Sequence, residues 1–203
     1  MRGARPERAV EQGIERSTAL HRGERVLIAC SGGPDSVALL AALHALAKRM
    51  ELSLCAAHVN HGTRPSSSQD ECIALQVAGR CEMPIDVVAL ALQGCDEARL
   101  RSERYGALAE IAKRRACAAI ATAHHAEDQS ETVLLALLRG AGPAGIGGMA
   151  ARREIEPGLD LARPLLGIGS EELRAYCHAQ ALPYAVDPTN AQTGLRRNAV
   201  REA

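Results

Sequence analysis

The sequence has 203 residues, with 24 Lys and Arg against 24 Asp and Glu, so its formal net charge is zero. This balance excludes a uniformly basic nucleic-acid-binding shell and confines any RNA contact to local patches. The chain has no Phe or Trp and only three Tyr, which excludes a single-strand binder built on a platform of stacked aromatic side chains. A hydrophobic content of 47% excludes an intrinsically disordered chain.

The predicted elements begin with a helical lead-in over residues 1–23, whose helix lies within 5–20. Short apolar strands and Ala- and Leu-rich helices then alternate. The strands are predicted at 25–30, 52–59, 85–90 and 118–122, and the helices that follow them at 37–49, 68–81, 97–115 and 127–139. This alternation predicts an α/β fold with a doubly wound, mainly parallel sheet.

The remainder of the chain is predicted to be a small C-terminal appendage. Residues 140–149 are rich in Gly and form a loop, 152–155 and 159–162 form a hairpin, and Ser170 caps a helix over 170–180. We therefore divide the chain into the lead-in, a main domain over 24–150, and an extension over 151–203 that completes this domain.

The seven Cys include no Cys-x-x-Cys pair, which argues against a zinc ribbon, an iron–sulfur site or a redox-active pair. The N-terminus has no apolar segment typical of a secretory signal, and no apolar run is long enough to span a bilayer. We therefore expect a cytoplasmic protein that does not associate with membranes.

The most informative segment is Ser31-Gly-Gly-Pro-Asp-Ser36, between a predicted strand and a predicted helix. Its Gly residues allow a sharp turn, and successive amides near a helix N-terminus form an anion-binding nest. Beside a phosphate, the carboxylate of Asp35 favours an intervening cation such as Mg²⁺. The segment is not a Walker A loop, because it lacks that motif's spacing and its Lys.

The 31–36 segment resembles the PP-loop of the N-type ATP pyrophosphatases, and further segments narrow the resemblance to the tRNA(Ile)-lysidine synthetase family. These segments are 58–62 with Arg64, 98–105, 122–132, 137–142, 145–149, 163–166, and 187–190 with 197–198. The resemblance implies an adenine nucleotide α-hydrolase-like fold, with a PP-loop ATP-binding catalytic domain over 24–150 and an extension over 151–203 that completes the catalytic core. It also implies an enzyme that uses ATP to adenylate the wobble cytidine of a tRNA(Ile) with a CAU anticodon, and then ligates free lysine to C2 of that cytidine.

The resemblance also implies roles for individual residues. The catalytic candidates are Asp35, Asp128, Glu131 and Arg104. The nucleotide-binding candidates are Ser31, Gly32, Gly33, Pro34, Asp35, Ser36, His58, Asn60, Arg99 and Arg104. His124, His125, Glu127 and Asp128 do not match a zinc-binding pattern, and a helix-capping cluster is the alternative interpretation of this group.

Local cationic segments supply candidates for contact with the tRNA backbone. Residues 99–115 carry six cations and two acids, a net charge of +4 in a neutral chain. The RNA-binding candidates are Arg64, Arg101, Arg139, Arg196, Arg197 and Arg201. The sequence leaves a homodimer open.

Two alternatives to lysine ligation remain. The first is a PP-loop tRNA thiolation enzyme, which the lack of paired Cys disfavours. The second is a module that binds ATP without chemistry, in which Asp35, Asp128 and Glu131 would be idle. The family's usual C-terminal tRNA-binding domains are expected to be absent from this chain.

Overall fold

The computed structural model describes residues 6–60, 67–90, 97–142 and 146–185. The elements in these ranges are α1 (Pro6–Arg16), β1 (Arg25–Ala29), α2 (Pro34–Met50), β2 (Ser53–Asn60), α3 (Ser67–Arg80), β3 (Ile85–Ala89), α4 (Glu97–Arg114), β4 (Ala119–Ala121), α5 (Ala126–Leu138), β5 (Arg152–Glu156), β6 (Leu159–Ala162) and α6 (Ser170–Ala179). The predicted order of helices and strands is confirmed. No helix in these ranges is both long and apolar enough to cross a membrane.

The strands form one sheet in the order β3-β2-β1-β4-β6-β5. All neighbours run parallel except the β5–β6 hairpin. The predicted α/β fold with a mainly parallel sheet is therefore confirmed. Strand β6 pairs with β4 in the middle of this sheet, so the hairpin of the C-terminal extension continues the main sheet.

Helices cover both faces of the sheet. Alternate residues of β1 point to opposite faces, so this strand contributes to the core on each side. Val26 and Ile28 belong to the core cluster that contains α1, α2, α3 and α6, whereas Leu27 belongs to the cluster that contains α4. Both cores are filled mainly by Ala, Leu, Ile and Val. Each strand at the centre of the sheet is thus buried on two sides, as its continuous apolar sequence predicts.

The chain leaves β1 towards β2 and β3, and then returns through α4 to β4 on the other side of β1. The order of strands therefore reverses between β1 and β4. In open α/β sheets, ligands bind at such a reversal, beyond the carboxyl ends of the strands. The 31–36 loop and the 122–125 segment both lie at this position, because they directly follow β1 and β4.

Two predicted helix starts were wrong. Helix α2 begins at Pro34 and not at Val37, because Pro suits the first helical position and Gly33 takes the extended N-cap conformation. Helix α6 is capped by Gly169, so Ser170 is its first residue and not its cap. Asp35 and Ser36 therefore belong to the first turn of α2, and the loop before this helix is shorter than predicted.

The Gly-rich segment is tied to α5 at its C-terminal end. The side-chain amide of Gln129 donates to the carbonyl oxygen of Met149 at 3.0 Å and accepts from its N–H at 2.7 Å. Residues 143–145 lie outside the described ranges. The predicted loop character holds for the described part, which contains only turns and irregular backbone.

We expect Gly32→Ala to destabilise the fold. Gly32 has φ +89°, and a Cβ atom there would lie 2.6 Å from the backbone oxygen of Asp70. Strained backbone together with this contact should lower the free energy of unfolding by more than about 2 kcal/mol. Urea unfolding monitored by circular dichroism measures the change.

Gly79→Ala is the matched control, since this Gly lies in α3 and a Cβ atom there would meet nothing within 4 Å. The control should leave the free energy of unfolding unchanged or raise it by up to about 1 kcal/mol. A Gly32→Ala protein as stable as the wild type would contradict the close approach of the loop to α3.

Candidate active site

A cavity of about 870 Å³ opens at the carboxyl ends of β1, β2 and β4. Its lining comes from the 31–36 loop, from the end of β2, from the 122–125 segment, and from helices α4, α5 and α6. Residues after position 150, among them Ser170 and Arg174, therefore line the same cavity as the ends of β1, β2 and β4. This volume is typical of a small-molecule site.

Ser36 holds the 31–36 loop in shape. Its hydroxyl donates to the carbonyl oxygen of Gly33 at 2.9 Å and accepts from the N–H of Ser31 at 3.1 Å. The hydroxyl of Ser31 lies 3.1 Å from the same oxygen. The N–H groups of Asp35 and Ser36 have no acceptor within α2, because they belong to its first turn. The loop thus offers amide donors at the positive end of a helix, which suits a phosphate.

Asp35 is the acidic group nearest to these amides, and it is partly withdrawn from solvent. Burial raises the pKa of its carboxyl, the charges of His125 and Arg174 oppose this rise, and Asp128 and Glu127 add to it. Its Oδ1 atom is buried and has no hydrogen-bond partner among the described residues. Its Oδ2 atom lies 3.6 Å from Nε2 of His125.

Glu127 joins α5 to α6. Its carboxylate accepts the N–H of Ser170 at 3.1 Å and the hydroxyl of the same residue at 3.0 Å. Burial raises the pKa of the Glu127 carboxyl, but the hydrogen bonds from Ser170 outweigh it and hold that pKa below its usual range. Atom Nδ1 of His125 lies 2.9 Å from Oε2 of this carboxylate but makes no hydrogen bond among the described residues. A charged side chain of α5 thereby caps the N-terminus of α6.

His124 is held as a neutral side chain. Its Nδ1 atom lies 2.9 Å from the hydroxyl of Thr122. Burial lowers its pKa to about 4, the charge of Asp128 opposes this shift, and nearby Arg residues add to it. At neutral pH this imidazole therefore contributes hydrogen-bonding capacity and no charge.

A family model described as the PP-loop domain matches residues 6–203. The chain belongs to this family. The sequence resemblance based on the 31–36 segment is thereby confirmed, and this segment is the PP-loop of the chain.

Within this family, the chain is similar to curated proteins that share one enzyme name. The tRNA(Ile)-lysidine synthase of Symbiobacterium thermophilum is 39% identical over 199 residues, which cover 95% of this chain and 41% of that protein. The enzyme of the same name from Salinispora tropica is 44% identical over 180 residues, which cover 87% of this chain and 54% of that protein. The chain therefore spans about half the length of these relatives.

A solved structure shares the fold. It is a U34-tRNA thiolase from Methanococcus maripaludis with its 4Fe-4S cluster, with a TM-score of 0.79 and 17% identity. The match covers 96% of this chain and 70% of that one. At this identity the similarity supports the PP-loop fold alone.

Many of the residues predicted to bind nucleotide or substrate lie around the cavity. The predicted residues that line the cavity are Ser31, Gly33, Pro34, Asp35, Ser36, His58, Asn60, Arg104 and Glu131. Gly32 lies at the closest approach of the PP-loop to Asp70 and accepts the N–H of Ala185 through its carbonyl oxygen, 2.9 Å away. Glu131 is buried, with 6% of its surface exposed, although it belongs to the otherwise poorly buried helix α5.

The two polar residues of β2 differ in their contacts. Nδ1 of His58 lies 2.9 Å from the carbonyl oxygen of Cys30, and a carbonyl only accepts, so this nitrogen carries the hydrogen. The side-chain amide of Asn60 donates to Glu71 on α3 at 3.0 Å. His58 is thereby oriented beside the PP-loop, and Asn60 ties the end of β2 to the neighbouring helix.

Asp128 and Arg99 do not line the cavity. The carboxylate of Asp128 accepts the N–H of His125 at 3.1 Å, which is the helix-capping interpretation that the sequence left open. Arg99 is exposed on α4. Their predicted roles remain predictions, and the geometry supports Asp128 as a cap of α5.

Of the six Arg residues predicted to contact RNA, two lie in the described ranges, Arg101 on α4 and Arg139 at the end of α5. Arg101 lies 5.2 Å above the ring of Tyr105, which Arg104 also approaches at 5.7 Å. Arg139 is exposed at the C-terminal end of α5. Arg64, Arg196, Arg197 and Arg201 lie outside the described residues.

Sequence reasoning missed Arg174 and the contact between Glu127 and Ser170. Arg174 lines the cavity from α6, and its charge acts on Asp35 across more than a hundred residues of chain. No local pattern predicts such a contact. The Ser-Glu-Glu-Leu start of α6 was the available signal, since it indicates a helix N-terminus that needs an acceptor for its amides.

We expect His124 to stay uncharged well below pH 6. Its folded-state pKa of about 4 lies below the ordinary value of 6.5. The unfolded chain therefore binds a proton between about pH 6.5 and 4 that the folded chain does not, and the free energy of unfolding falls as the pH drops through this window.

NMR titration of the His ring signals tests this expectation, with His124→Gln assigning the signal and His44→Gln, a change on the exposed side of α2, as the assignment control. The signal lost in His124→Gln should stay constant from pH 8 to 5.5. A midpoint near pH 6.5 for that signal would contradict the buried, neutral state.

Proposed function

We propose that this chain is the catalytic PP-loop part of a tRNA(Ile)-lysidine synthetase. The observation that carries the proposal is a single cavity that combines the anion-binding PP-loop with Arg104, Arg174 and the buried carboxylate of Glu131. The 39–44% identity to curated enzymes of that name supports it. The substrates would be ATP, free lysine and a tRNA(Ile) with a CAU anticodon, and such a substrate would locate the enzyme in the cytoplasm.

In the first step, the C2 oxygen of the wobble cytidine attacks the α-phosphorus of ATP. The bond from this phosphorus to the bridging oxygen of the β-phosphate breaks, and pyrophosphate leaves. The amides of Asp35 and Ser36 and the hydroxyls of Ser31 and Ser36 are suited to hold the departing phosphates, because donors fixed in advance stabilise developing negative charge. Arg104 and Arg174 would add cations on two other sides of the cavity.

In the second step, the ε-nitrogen of lysine attacks C2, and the C2–oxygen bond to the phosphate breaks, so AMP leaves. The ammonium group must lose a proton before it can attack. Glu131 is suited to bind this ammonium and accept the proton, since it is a buried carboxylate on the wall of the cavity. Asp128 would act indirectly, through its contact with the N-terminal end of α5.

The residues present fit a bound Mg²⁺. Asp35 has a buried oxygen without a hydrogen-bond partner among the described residues, and Mg²⁺ is commonly held by one or two carboxylates together with substrate phosphates and water. Asp35 would hold the ion, which when bound neutralises phosphate charge. In the described ranges, no group of three or more His, Cys, Asp and Glu is arranged to bind a metal without substrate.

The thiolation alternative has weaker support. The thiolase structure shares the fold at 17% identity, and the described Cys residues do not cluster into a metal site. Cys30 lines the cavity, but burial raises the pKa of its thiol, which disfavours the thiolate needed for sulfur transfer.

We expect the chain, incubated with ATP, Mg²⁺, radiolabelled lysine and tRNA(Ile) bearing a CAU anticodon, to transfer label to tRNA with release of AMP. Asp35→Asn should lower the rate of transfer by about 100-fold or more, because it weakens phosphate and cation binding together. Arg153→Gln, on the exposed edge strand β5, is the matched control and should keep the wild-type rate.

Glu131→Gln separates the two steps. It should slow lysine transfer by about 100-fold or more, since it removes a proton acceptor, while tRNA-dependent exchange of pyrophosphate into ATP continues. ATP turnover without lysine transfer in the wild-type chain, with a full-length relative as positive control, would contradict the proposal. Incorporation of sulfur instead of lysine would support the thiolation alternative.

A further inference from the structure

A chain of polar contacts runs from the N-terminus of α6 to the PP-loop. Ser170 donates to the carboxylate of Glu127, this carboxylate lies 2.9 Å from Nδ1 of His125, and Nε2 of the same imidazole lies 3.6 Å from Oδ2 of Asp35. The path starts in the C-terminal extension and ends on the carboxylate proposed to hold Mg²⁺. His125 is its central link.

We propose that His125 is a positioning residue that fixes the carboxylate of Asp35 for ATP binding, and that Glu127, held by the N-terminus of α6, fixes His125. This inference rests on the proposed use of ATP at the PP-loop. It assigns no contact with ATP or with the tRNA to His125. In ATP binding, the imidazole acts through Asp35.

The side chain of His125 is confined by burial and by its neighbours. It is 8% exposed, and both of its ring nitrogens face carboxylate oxygens. Its own backbone N–H is used by Asp128, so the residue is fixed at the start of α5. Nδ1 makes no hydrogen bond among the described residues, but it lies 2.9 Å from the Glu127 carboxylate, so contact with this carboxylate restricts where the ring can lie.

The two carboxylate oxygens of Asp35 have different surroundings. Its Oδ1 atom has no hydrogen-bond partner among the described residues, so no hydrogen bond at that atom selects its side-chain orientation. Its Oδ2 atom lies 3.6 Å from Nε2 of His125, and because this imidazole is buried, the contact limits where the carboxylate can lie. Arg174 acts on the same carboxylate by charge, but it is exposed and long, and therefore constrains direction less.

The carboxylates of Asp35 and Asp128 repel each other, and Asp128 raises the pKa of Asp35. Nε2 of His125 lies 3.5 Å from Oδ2 of Asp128 and 3.6 Å from Oδ2 of Asp35, so one ring nitrogen lies close to both carboxylates. Like charges that share a site repel each other strongly when partly buried. An imidazole between them allows Asp35 to remain beside the PP-loop amides instead of turning away from Asp128.

Two amide substitutions distinguish this role from simple helix capping. In His125→Gln, the amide nitrogen can approach the position of Nε2 and keep the contact with Asp35. In His125→Asn, the shorter side chain reaches only the position of Nδ1 and the contact with Glu127. His44→Gln, on the exposed side of α2, is the matched control.

The dissociation constant for ATP, measured calorimetrically with and without Mg²⁺, is the first readout, and the thermal midpoint of unfolding is the second. His125→Ala and His125→Asn should weaken Mg²⁺-dependent ATP binding by about 10- to 100-fold, as expected for loss of a partner of a metal-binding carboxylate. His125→Gln should recover most of this affinity. All three variants should weaken binding less when Mg²⁺ is omitted.

Equal ATP affinity in His125→Ala and the wild type would overturn the inference. Recovery by Asn and not by Gln would also overturn it, because the important contact would then be the one with Glu127 at the helix start. A wild-type chain that does not bind ATP at all would instead contradict the proposed function. If His125→Ala fails to fold, the comparison between the Gln and Asn variants still decides the matter.

Discussion

The site depends on the parallel pairing of β1 with β4. This pairing brings Val26 beside Ala119 and Ile28 beside Ala121, although more than ninety residues separate them in the chain. It puts the PP-loop and the segment that starts α5 at the same edge of the sheet, where the order of strands reverses. Every contact between Asp35 and His125 follows from this arrangement.

Small residues permit this arrangement. Strand β4 is Ala119-Ile-Ala121, and the buried positions of α2 and α4 are mostly Leu and Ala. With no Phe or Trp in the sequence, the core is filled mainly by aliphatic side chains. A small residue is also required in the PP-loop, because Gly32 lies against the backbone of Asp70 with no room for a side chain.

The sequence predicts the fold well because its signals are local. Buried strands are continuous apolar runs, and the PP-loop carries its own residue pattern between a strand and a helix. The site is less predictable because its important contacts are distant in sequence. Glu127 and Ser170 are 43 residues apart, and Arg174 acts on Asp35 from a different helix. Asp128 makes a local capping contact, and the catalytic role that the resemblance implies for it stays a prediction.

The C-terminal extension is best understood as part of the PP-loop's support. The N–H of Ala185 donates to the carbonyl oxygen of Gly32, and the thiol of Cys177 lies 3.4 Å from the carbonyl oxygen of Pro34. Burial raises the pKa of Cys177 to about 12, so this thiol keeps its hydrogen and can donate it. With Ser170 and Arg174, these contacts reach the PP-loop and Asp35 from one side, while β6 joins the sheet through β4. A boundary near residue 150 therefore divides the sequence but not the cavity, because the geometry of the anion-binding loop depends on residues from both sides of that boundary.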